Sequence, residues 1–180
     1  MTWSFRQPGN EKQKGLADRV RTALRMLSVY GVFDRLSYSV TGNKVTLEGI
    51  ASRPILRTRA ESAVASLPGV ESVDNRITIL PFSINDDRIR ASVYCQIYCD
   101  CALSRYANGA VPRAFARFEG MIGITNHPPL GHHEIRIMVQ NGTVTLEGII
   151  NDKRDRALAE TRANQSYGVV SVINNLTARP

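Results

Sequence analysis

The chain has 180 residues, 43% of them hydrophobic, and a formal net charge of +7. That length suits one large or two small domains, and the composition is that of a globular protein rather than a disordered or fibrous one. No apolar run approaches the roughly 20 residues of a membrane-spanning helix, while the positive balance favours anionic partners such as lipid headgroups or nucleic acid.

Residues Met1–Gly15 are polar and read as a loose N-terminal extension over 1–14. The opening Met1–Pro8 lacks the apolar core of a secretory signal. It leaves two expectations: a cytosolic chain, or a periplasmic or envelope protein whose leader lies outside this sequence. Trp3 and Phe5 beside Arg6 suit either a membrane interface or a terminus packed on the first module.

Leu16, Val20, Ala23, Leu24 and Leu27 then fall at helical spacing, with Arg19, Arg21 and Arg25 off that stripe. Tyr30–Asp34 turns the chain towards a sheet. Tyr38 and Val40 alternate with polar neighbours, as in a half-buried strand. Gly42-Asn43 fits a tight hairpin, and Val45, Leu47 and Gly49 alternate along the return strand. Ser52 is a candidate helix cap, followed by Pro54 at a first helical position. Leu56, Ala60, Ala63, Val64 and Leu67 mark one helical face. Pro68-Gly69 ends that helix, and Val73, Ile77 and Ile79 alternate as a last strand.

The same grammar returns after Phe82. Ile89, Val93 and Ile97 mark a helix behind the candidate cap Asn85, and Asp87-Arg88-Ile89-Arg90 echoes Asp18-Arg19-Val20-Arg21. An insertion follows at about 103–133. Its stretch Pro112–Ile124, wound as a helix, sets Arg113 and Arg117 on one side and Phe115, Phe118 and Ile122 at three- and four-residue steps. That pattern fits a short interfacial element, or a cover for an open sheet edge or an inter-module contact.

Beyond it, Val144–Pro180 overlays Val45–Pro81 without a gap, and sixteen of the thirty-seven positions are identical. Val45-Thr46-Leu47-Glu48-Gly49-Ile50 recurs whole as Val144–Ile149 after the turn pair Asn141-Gly142. Two copies are too few for a solenoid. The prediction is therefore α+β: two tandem αββαβ modules, each a three-stranded sheet with two helices on one face. The first spans 15–81 and the second 82–180. Twelve Lys and Arg stand against seven Asp and Glu before Phe82, and eleven against nine from there on, so the first module is the more basic.

Chemistry is sparse. Cys95, Cys99 and Cys101 are the only cysteines. Their C-x3-C-x-C spacing matches no standard zinc pattern, even with His127, His132 and His133 available, so neither metal nor cofactor is expected. One turn of helix between Cys95 and Cys99 is unsuited to an unstrained disulfide, whereas a bridge from Cys99 or Cys101 to another chain stays open. No nucleophile elbow, P-loop or dinucleotide fingerprint is present, and an enzyme is not expected. Asn75 and Asn174 share a strand face with apolar neighbours, and each is expected to hold a nearby backbone turn rather than a ligand.

The element order, with Asn141-Gly142-Thr143-Val144-Thr145-Leu146-Glu147-Gly148 and then Gly168-Val169-Val170-Ser171-Val172-Ile173-Asn174, resembles the BON domain family; the first copy departs only in reading Gly42-Asn43-Lys44. The resemblance implies a non-enzymatic bacterial envelope protein, in tandem form, that contacts anionic phospholipid, in osmotic stress or membrane integrity. In such relatives the second module's first helix and nearby loops face the lipid. Carried onto this chain, the lipid-binding candidates are Arg113, Phe115, Arg117 and Phe118, then Arg88, Arg90 and Arg105. The alternative is a protein–protein or chaperone-like scaffold without lipid affinity. Nucleic acid is the least favoured partner, since the Gly-x-x-Gly phosphate loop of one small RNA-binding fold is missing between the helices.

Overall fold

The computed structural model describes residues 8–108, 124–125, 128–129 and 132–179. They divide into two compact units: one runs to Tyr30 and continues over Leu36–Ile79, the other takes Gly31–Arg35 and everything from Leu80 on. Each is an α+β layer of helices on a three-stranded sheet, as the repeat predicts.

In the first unit the order is α1 (Pro8–Arg25), β1 (Arg35–Thr41), β2 (Lys44–Ala51), α2 (Pro54–Ala65) and β3 (Ser72–Ile79). The strands lie in the order β1-β2-β3. Between β2 and β3 the pairing is parallel, with Val45 opposite Val73 and Leu47 opposite Asn75; α2 makes the crossover that parallel strands need. Leu16, Val20 and Leu24 of α1 and Leu56, Ala60 and Val64 of α2 bury against Val45, Leu47 and Ile77. One stripe from each helix thus covers one sheet face.

The second unit repeats this with α3 (Ile84–Tyr98), β6 (Ile135–Gln140), β7 (Thr143–Ile150), α4 (Lys153–Asn164) and β8 (Ser171–Ala178). Between α3 and β6 come a 3-10 turn, Ser104–Tyr106, and two short paired strands, β4 (Ala107–Asn108) and β5 (His132–His133). Val144 faces Val172 and Leu146 faces Asn174, so the parallel register is that of the first unit. The core is larger. It takes in Leu103, Tyr106 and Ile124 from the inserted region, and Val32 and Phe33 from far upstream. The amide of Ile137 donates to Val32 O at 2.9 Å, and Arg136 Nη1 donates to Asp34 O at 3.0 Å. Residues 31–35 thereby line the outer edge of β6, an edge that would otherwise present unpaired backbone.

Several local expectations change. The segment expected to be loose is already helical from Pro8, a residue that suits a first turn. Arg53, not Ser52, precedes α2, and no side chain caps it. Ser83, not Asn85, caps α3, its Oγ accepting from Asp86 N. The hairpin turns also differ. Gly42 alone has positive φ, 62°, in the first, whereas Asn141 and Gly142 both do in the second, at 51° and 76°. Asn-Gly supplies two such residues cheaply; Gly-Asn needs only the first.

Candidate functional site

The asparagine, arginine and helix glutamate shared by the two repeats form a structural set. Asn75 Nδ2 donates to Arg57 O at 3.1 Å and to Glu61 Oε2 at 2.9 Å, and its Oδ1 accepts from Ile77 N. Arg57 Nη2 returns a bond to Asn75 O. Asn174 makes the same set with Arg156, Glu160 and Leu176. Each asparagine rivets its last strand to the preceding helix. The expected partner was a turn; the observed one is a helix backbone plus a carboxylate, because parallel crossover lays α2 over β3 and α4 over β8.

The glycine ending each Val-Thr-Leu-Glu-Gly run is structural as well. Gly49 and Gly148 have φ of 126° and 147°. A Cβ on Gly148 would sit 1.9 Å from Glu134 O, so no side chain fits there.

In α3 the candidate Arg90 is 3% exposed. Its Nη1 donates to Thr125 Oγ1 at 3.1 Å and its Nη2 to Val139 O at 2.7 Å. Asp87 sits beside it, 4.0 Å away, and accepts from both the amide and the hydroxyl of Thr125. Burial lowers the Arg90 pKa while Asp87, Asp86 and Asp34 raise it. Arg90 is therefore a buried brace and is corrected out of the lipid-facing set. Asp86 accepts from Asn141 N and Gly142 N, both at 2.9 Å, tying the α3 start to the β6–β7 turn.

Arg105 is half committed: its guanidinium pairs with Asp155, which also accepts from Tyr106 Oη. Arg88 is exposed on α3. The candidates Arg113, Phe115, Arg117 and Phe118 lie outside the described residues.

The structure brings together something the periodicity did not signal. The start of α3, the β6–β7 turn and the loop before β8 meet at one end of the second unit. Gly142 is packed against Val170, and Gly168 against Ile89 and Asn85. On these segments Ile84, Tyr167 and Val170 are 61%, 95% and 79% exposed, and Phe82, two residues before α3, is 76% exposed. Arg88 lies one helical turn behind Ile84 on the same side. A signal was available: repeat overlay places Tyr167, Val170 and Ile173 at the positions of Pro68, Glu71 and Asp74.

Elsewhere, Tyr94 Oη and His133 Nε2 are 3.1 Å apart within the core, and burial raises both the Tyr94 and Tyr98 phenols. The rings of Tyr94 and Tyr98 both pack edge to face with that histidine. His127 lies outside the described residues. Among the described residues no group of three His, Cys, Asp or Glu is arranged to hold a metal, and no helix is long and apolar enough to cross a membrane.

The profile of the BON domain matches residues 13–81 and 124–180. Two solved structures are similar over most of their length. One is the C-terminal domain of CdsD, a structural protein of the type III secretion system of Chlamydia trachomatis, at 12% identity, covering 92% of this chain and 98% of that one with a TM-score of 0.29. The other, also of CdsD, has 13% identity, covers 92% and 93%, and has a TM-score of 0.28. Superpositions that loose bear on nothing further. No curated protein matches the chain.

Proposed function

The chain belongs to the BON domain family, and on that premise we propose that it is a non-enzymatic protein of the bacterial envelope that holds anionic phospholipid through one end of its second unit. The family is typically periplasmic or envelope-associated and generally without catalysis. The observation that carries the lipid reading is the exposure of Ile84, Tyr167 and Val170 on segments that meet at one end of the second unit. Large exposed apolar groups gathered together mark a contact surface. Arg88 stands one turn behind them, and the chain carries a net charge of +7. Each Lys or Arg near an anionic bilayer contributes about 1 kcal/mol of attraction, while the apolar side chains enter the headgroup layer. In sequence, Arg113, Phe115, Arg117 and Phe118 mix the same two chemistries, cationic and apolar, and are part of this proposal.

Flotation with phosphatidylglycerol vesicles tests this, with phosphatidylcholine as the neutral control. The wild-type chain floats with the first and not the second. Replacing Ile84, Tyr167 and Val170 together with Ser reduces flotation at least tenfold, as does the pair Arg113→Glu and Arg117→Glu. Full flotation by the triple variant removes this end from the reading. No flotation by the wild-type chain hands the same apolar end to a protein partner.

A further inference from the structure

The chain's three cysteines gather in one cleft of the second unit, far in chemistry from the apolar end. It has a volume of about 370 Å³ and is lined by Cys95, Gln96, Cys99, Asp100, Cys101 and Arg162. The Sγ atoms of Cys95 and Cys99 are 3.4 Å apart. Cys99 and Cys101 are exposed and Cys95 is half-buried. We propose that this dithiol is an oxidation site, where a small hydroperoxide entering the cleft converts Cys95 and Cys99 into a disulfide within the chain.

Geometry permits the bond at a defined cost. Four helical steps set two Cα atoms about 6 Å apart, inside the roughly 4.4–6.8 Å that a disulfide spans. A regular helix holds the two Cβ atoms too far apart, which is why the pair looks unsuited in sequence. Here α3 ends at Tyr98 and Cys99 is its C-cap residue. The last turn is held by the bond from Cys99 N to Cys95 O, 2.9 Å, and closing the sulfurs draws on that turn.

The two thiols are unequal. Burial, with the hydrogen bond to Cys99, raises Cys95 to about 11, so Cys95 keeps its proton at neutral pH. Cys99 is the more accessible nucleophile and reacts first. Its sulfur attacks one peroxide oxygen and the O–O bond breaks. The thiol becomes a sulfenic acid, and hydrogen peroxide is reduced to water, carrying off the thiol proton. Cys95 then attacks the oxidised sulfur. The S–O bond breaks, the S–S bond forms, and hydroxide leaves as a second water with the Cys95 proton.

The step reaches beyond the sulfurs. Asp100 follows Cys99 directly, and its carboxylate accepts from Ala102 N and Leu103 N and pairs with Arg162 of α4 at 2.8 Å. Closing the disulfide pulls on the residue that ties the end of α3 to α4.

Stoichiometric hydrogen peroxide added to the full-length chain, followed by alkylation and peptide mapping, tests the site. The expected product has lost two hydrogens, retains one alkylatable thiol at Cys101, and carries a bridge between Cys95 and Cys99. Cys101→Ser forms the same bridge. Cys95→Ser instead accumulates a sulfenic acid at Cys99 that dimedone traps. The proposal is overturned if wild-type cysteines go singly to sulfinic acid, or if the bridge uses Cys101 or joins two chains. Should Cys95→Ser fail to fold, as judged by circular dichroism, the wild-type and Cys101→Ser maps decide alone.

Discussion

Both units carry Asp-x-x-Arg in their first helix and use it in opposite ways. In α1 the pair Asp18–Arg21 lies in solvent at 2.9 Å, with Arg21 reaching Tyr38 Oη at 3.3 Å. In α3 the pair Asp87–Arg90 is buried, and Thr125 and Val139 O supply the bonds that water would have made. The outer surfaces diverge as well. Where the first unit sets Asp74 between Lys44 and Arg76, the second has Ile173 between Thr143 and Asn175. The duplicated scaffold tolerates both because the shared residues are the ones that hold strand to helix. What differs is what each unit turns to its surroundings: a salt-bridged polar face in the first, an apolar end and a sulfur-lined cleft in the second.

Mutations at matched positions break or sharpen that contrast. The largest effect falls on Gly148→Ala, whose added carbon meets a carbonyl at 1.9 Å on a backbone with φ of 147°. Overpacking and left-handed strain together cost about 4 kcal/mol, seen as an early transition of the second unit in calorimetry. Arg90→Ala comes next. It leaves Asp87 buried without its cation and costs about 3 kcal/mol in chemical denaturation, whereas Arg21→Ala leaves the first unit's midpoint unmoved. Equal losses for those two arginines would show that burial does not separate them. The smallest effect tests sameness. Asn75→Ala and Asn174→Ala each remove matching bonds and each cost about 1 to 2 kcal/mol, within about 0.5 kcal/mol of one another.

The repeat made the fold legible: alternating strands, a two-residue turn and a helix between parallel strands are local patterns. The asparagine rivets were half legible, since a strand amide among apolar neighbours must find a partner, but which element supplies it depends on the crossover. Arg90 was readable and missed. It lies at helical spacing with Val93, Tyr94 and Ile97, inside the apolar stripe rather than off it. Val32 and Phe33 were not readable as members of the second core, because periodicity says which side chains bury and not against what. The cysteine cleft needed Arg162, some sixty residues downstream, to define its far wall.

The strip Gly31–Arg35 has a practical corollary for anyone dissecting this chain. Scissors placed after Pro81, where the duplication invites them, would leave the C-terminal piece with a vacant slot once filled by Val32 and Phe33 and with a raw strand margin along β6. Such a fragment would be sticky for reasons unrelated to its biology, and its self-association should not be mistaken for a native habit.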